Sequence, residues 1–197
     1  MSIKDRYQSD PFTDLLFNAL LGFTFLFLVA IMFMNPEAKS GIIDPKAEYI
    51  ITVTWKDNSP DDIDTWVEDP EGQVIWFRNP EAGLLHLDRD DRGLVNDTIT
   101  FNGETLQNPL NQEVVTIRGV VKGEYVVNVH YYATETKKPV DVTIRLDKVN
   151  PKLKVEYYGT ITLEQKGDER TALRFKIGRD GEITDINFLP KSLVSIG

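Results

Sequence analysis

From Leu15 to Met34 the chain runs for twenty residues without a charge, broken only by Asn18, Gly22 and Thr24. At about 1.5 Å per residue such a run spans the roughly 30 Å hydrocarbon core of a bilayer. The pattern predicts a transmembrane helix over 12–34, preceded by a short tail (1–11). Met32-Phe33-Met34-Asn35-Pro36 offers no small-residue cleavage site, and Pro36 reads as a helix stop, so an uncleaved anchor is expected. Residues 35–47, with Asn35-Pro36 and Asp44-Pro45, read as a linker.

From Glu48 the period changes. Short segments rich in Val, Ile, Thr, Tyr and Phe alternate with Gly, Pro, Asn and Asp. Strands are predicted at Glu48–Trp55, Gln73–Phe77, Gly123–Tyr132, Val140–Lys148, Val155–Leu163, Thr171–Ile177 and Glu182–Phe188. Asp69-Pro70-Glu71-Gly72 and Gly178-Arg179-Asp180-Gly181 have the residues of tight turns. No later window holds a helical period. The expected architecture is a single N-terminal transmembrane α-helix followed by an all-β antiparallel sandwich or barrel over 48–197.

Composition narrows the function classes. A net charge of −9 and a pI near 4.8 argue against nucleic acid, which needs a basic face. Without cysteine there is no disulfide framework, thiolate nucleophile or zinc ribbon. Lys4 and Arg6 precede the helix and Lys39 and Lys46 follow it, so the charge rule tips only slightly toward a cytoplasmic N-terminus.

Asp14 stands at the head of the apolar run. An ionised carboxylate within a membrane helix is costly unless it faces a polar cavity, a partner or water. Two readings stay open: an interfacial residue complementing the positive helix N-terminus, or an ion carrier. Asp10 before Pro11 is the expected N-cap, which leaves Asp14 free of that role. Asn18 and Gly22 continue the Asp14 face at i+4 and i+8, with Phe25 further along. This stripe reads either as a helix-pairing or pore-lining face, or as isolated residues tolerated in an anchor. Thr24 is expected to bond back within its own helix.

Pro11-Phe12-Thr13-Asp14 followed by an uninterrupted apolar helix resembles the ExbD/TolR/MotB group, the single-pass B subunits of ion-driven membrane motors. The likeness covers roughly residues 5–35. It implies a homodimer of helices inside a pentameric ring of a MotA/TolQ/ExbB-like polytopic partner in a bacterial inner membrane. Asp14 would take up and release a proton or bind sodium. Beyond the helix the chain departs from the group, with neither the small α/β domain of ExbD and TolR nor the OmpA-like pattern of MotB. The expected function is a motor B subunit whose β domain transmits torque or binds an envelope target. The alternative is a membrane-tethered β-sandwich binding or adhesion module.

Asp57, Asp61, Asp62 and Asp64, and then Asp88, Asp90 and Asp91, form two acidic clusters. Oxygen ligands suit calcium, but neither cluster matches a twelve-residue calcium loop, and solvated turns are the favoured reading. His86 and His130 are the only histidines, and His130, on a strand face with Asn128, is expected to be exposed. Trp55, Trp66 and Trp76 read as core aromatics or as a carbohydrate-stacking surface. No catalytic motif is present, so no enzyme, cofactor or metal is expected.

Overall fold

A computed structural model describes residues 11–34, 46–93 and 97–194. The chain divides into two units, Met1–Asp44 and Pro45–Gly197. The first contributes helix α1, Pro11–Met34. Proline at the first helical position fits, because its missing N–H would have no intrahelical partner there. The expected cap Asp10 and nearly all of the expected linker lie outside the described residues. Thr24 Oγ1 donates to Leu20 O at 2.8 Å, the back-bond expected from its position. α1 is long and apolar enough to cross a membrane.

The second unit is a two-sheet antiparallel sandwich. Its strands are β1 (Tyr49–Trp55), β2 (Asp62–Glu68), β3 (Val74–Ile75), β4 (Glu81–Ala82), β5 (Leu85–Arg89), β6 (Thr98–Phe101), β7 (Glu104–Gln107), β8 (Asn111–Ile117), β9 (Gly123–Ala133), β10 (Val140–Lys148), β11 (Lys154–Leu163), β12 (Glu169–Ile177) and β13 (Ile183–Asn187). One sheet runs β11-β10-β1-β8-β5-β4 and the other β13-β12-β9-β2-β3; β6 and β7 pair as a separate hairpin. Each main sheet keeps its edges, so a sandwich forms rather than a closed barrel. Tyr49, Ile51, Val53 and Trp55 alternate inward from β1 and meet Ile63, Val67, Tyr125, Val127 and Phe175 of the facing sheet in one core. Phe175 stacks on Tyr125 with ring centroids 5.1 Å apart.

Both expected turns are present. Asp69 Oδ1 accepts from Glu71 N and Gln73 N between β2 and β3, and Gly72 takes φ 82°. Gly178 N donates to Glu182 O between β12 and β13. The expected strand Gln73–Phe77 shrinks to β3, because the chain doubles back through a bridge between Trp76 and Asn79. β2 and β8 were not expected as strands, since DIDTWVE and NQEVVTI carry charges at positions that the fold buries.

β1 fixes the polarity of this unit. The chain enters beside Tyr49, where Glu48 N donates to Ile117 O and Asn150 Nδ2 to Ala47 O. β1 then runs about 20 Å to Trp55, at the opposite pole. At that pole β2 and β8 begin, and there the acidic residues gather.

Candidate functional site

Two places hold the residues singled out by the sequence. On α1, Asp14 lies in the first turn and is the sole charged residue of the helix. Asn18, Gly22 and Phe25 follow at four, eight and eleven residues, which at 3.6 residues per turn keeps them within a quarter-turn of Asp14. All four are exposed, and a Cβ placed on Gly22 would meet nothing within 4 Å. The helix therefore offers a polar, small-residue stripe on an otherwise apolar rod.

At the far pole of the sandwich, Asp61 organises the loops. Its Oδ1 accepts from Thr134 Oγ1 at 2.8 Å, Glu135 N at 3.0 Å and Thr136 N at 3.1 Å; its Oδ2 accepts from Thr136 Oγ1 at 2.5 Å. Trp55 Nε1 donates to the Asp61 carbonyl. Burial alone would raise its pKa, but the bonds from Thr136, Thr134 and Glu135 outweigh that and hold it at about 2. One carboxylate thus pins the β1–β2 loop to the β9–β10 turn.

Beside it lies a denser group. Asp62 and Asp64 occupy the first and third positions of β2, and Glu113 the third position of β8. Glu113 alternates with Val115 and Ile117, so it occupies an inward position. β3 pairs with β2 only at Val67 and Glu68, which leaves the Asp62–Trp66 edge without that neighbour. Glu113 Oε2 fills the gap, accepting from Thr65 N at 2.5 Å. Asp90, just after β5, brings a third carboxylate, and oxygens of Asp64, Asp90 and Glu113 lie within 4.8 Å of one another.

Burial pushes the Glu113 carboxyl well above its usual range, against the bond from Thr65. Burial also raises Asp64, with His130 opposing, and raises Asp62 to about 7, with Asp64 adding to the effect. Asp91, by contrast, is paired: its Oδ2 accepts from Arg89 at 2.8 Å and from Gln112 N at 3.1 Å.

This corrects the solvated-turn reading. Asp57, Asp88 and Asp90 are exposed, but Asp61, Asp62, Asp64 and Asp91 are buried. Glu113 stands 48 residues beyond Thr65 and meets this cluster only where β8 of one sheet faces β2 of the other. Spacing along the chain carried no signal for it. His130 is also corrected: it lies opposite Asp64 across the β2–β9 ladder, largely buried, with Nδ1 3.7 Å from Asp64 Oδ2. Its neighbour Asn128 is fully buried, donating to Glu169 Oε1 and Lys191 O as the C-terminal segment covers that face. Trp55 belongs to the core. Trp66 is buried and stacks on Trp76 at 4.6 Å, and Arg78 lies 5.6 Å from the Trp76 ring centre.

Comparison with protein-family models, with curated proteins and with solved structures gave no match.

Proposed function

We propose that this chain is the B subunit of a proton- or sodium-driven rotary motor. A pair of α1 helices would sit inside a pentamer of a MotA/TolQ/ExbB-like polytopic protein in a bacterial inner membrane. The N-terminus lies in the cytoplasm and the sandwich outside it. The observation that carries this reading is Asp14, the single charge of α1, set by Pro11-Phe12-Thr13 at the head of an uncharged run. A carboxylate there loads a cation on one side of the barrier and releases it on the other. The membrane potential supplies about 2.3 kcal/mol per charge per 100 mV to drive the cycle. Asn18, Gly22 and Phe25 form the face on which the pair meets. The sandwich binds an envelope target and delivers the work.

A tethered binding module is the second reading. It is favoured by the outer aromatic group, where Trp76, Phe77 and Tyr132 adjoin one another and Arg78 stacks over the first two.

The absence of cysteine makes a direct test simple, because each introduced thiol reports alone. Single-cysteine variants at Asn18, Gly22 and Phe25, oxidised in native membranes, are expected to cross-link into dimers. Variants at Leu16, Phe23 and Phe27, on the opposite face, are expected to stay monomeric. Equal cross-linking on both faces, or none on either, removes the paired helix from the account.

A further inference from the structure

We propose that Asp64, Asp90 and Glu113, with Asp62 beside them, form a calcium-binding site at the far pole of the sandwich. The three carboxylates come from β2, from the segment after β5 and from β8, and their oxygens lie within 4.8 Å of one another. One ion holding its ligands at about 2.3–2.6 Å bridges oxygens that lie within this limit. Magnesium usually keeps several waters and is held by one or two carboxylates, whereas at least three gather here, which favours calcium.

A second observation points to a ligand. Glu113 is 1% exposed and Asp64 3% exposed, yet Glu113 Oε1 and Asp64 Oδ2 accept no hydrogen bond, and neither does Asp62 Oδ1. Buried carboxylate oxygens are costly without a partner, and native folds satisfy nearly all of them. Thr65 N holds Glu113 Oε2 and leaves Oε1 without a partner in a carboxylate that lies within reach of Asp64 and Asp90. Among the described residues, the basic groups that act on the cluster are Arg92, near Asp62, and His130, beside Asp64 at 3.7 Å. Arg89 is committed to Asp91 and to the Leu110 carbonyl. Four carboxylates against these two groups leave negative charge for a divalent cation to offset. The donors are hard oxygens, which suit calcium rather than zinc or copper. Asp90 is exposed, so one side of the ion stays open to water.

The test uses the full-length protein in detergent, stripped with EDTA and dialysed. Calorimetric titration with CaCl2 is expected to show one ion per chain. At a hundredfold excess over Kd, calcium should raise the unfolding temperature by about 5 °C or more. Asp90→Asn, at an exposed position, and Glu113→Gln, which keeps an acceptor for Thr65 N, should each reduce that shift at least about tenfold in Kd. No calcium-dependent shift in the wild type would overturn the proposal and leave a proton shared between Glu113 and Asp90 in its place. An undiminished shift in both variants would also overturn it, and an equal response to MgCl2 would overturn the choice of calcium.

Discussion

In liposomes carrying the complex purified from native membranes, Asp14→Asn is expected to lower ion flux by about 100-fold. An uncompensated charge at membrane depth costs about 2.5–3.5 kcal/mol on insertion scales. Each 1.4 kcal/mol is a factor of ten, so losing the one carboxylate that offsets a passing cation removes about two decades. Asparagine keeps the shape and a hydrogen-bonding oxygen, so assembly with the partner should be unchanged. Asp14→Glu keeps the charge and should retain part of the flux. If Asp14 only complements the helix N-terminus, the same substitution costs about 0.3–1 kcal/mol of helix stability and leaves flux alone. Wild-type flux in Asp14→Asn would therefore leave the anchor reading standing and end the motor reading.

Asp61→Ala is expected to destabilise the sandwich by about 3 kcal/mol or more. The buried carboxylate accepts four part-buried bonds from Thr134, Glu135 and Thr136, and truncation removes all four together with the tie between the two loops. For a unit of this size that lowers the unfolding temperature by about 6–12 °C, readable by calorimetry on the full-length protein. Its pH dependence carries a sign. The folded pKa of about 2 lies below the unfolded value, so the ionised carboxylate contributes fully above pH 4. That contribution is lost as pH falls through about 2, and the gap between wild type and Asp61→Ala should narrow over the same interval. A constant gap across that range would mean that the loss comes from packing rather than from the charge.

The strands legible in the sequence were those whose alternation is uncharged on the inward side. β1, with Tyr49, Ile51, Val53 and Trp55 facing in, and β10, with Val142, Ile144 and Leu146, are examples. β2 and β8 broke the rule because they bury Asp62, Asp64, Asn111 and Glu113. A carboxylate at a strand's third position reads locally as a turn or a solvated face. Its burial becomes visible only when the two sheets close and Glu113 meets the unpaired N–H of Thr65. The acidic clusters were thus visible as composition, whereas the site they build with Glu113 depends on a long-range pairing that spacing does not encode. His130 was misread for a similar reason, since the segment carrying Lys191 and Leu193 covers the same face of β9 at Asn128 and Val126. The stripe on α1 was legible in full, because helical periodicity alone places Asp14, Asn18, Gly22 and Phe25 together.

The most direct test of the motor assignment is the composition of the complex that the full-length chain forms in its own membrane. Tagged at the C-terminus, extracted gently and weighed by native mass spectrometry, it should emerge as a pair of these chains held by a pentamer of a larger polytopic protein. Recovery of the chain alone, as a monomer or a simple dimer with no polytopic partner, would contradict the account.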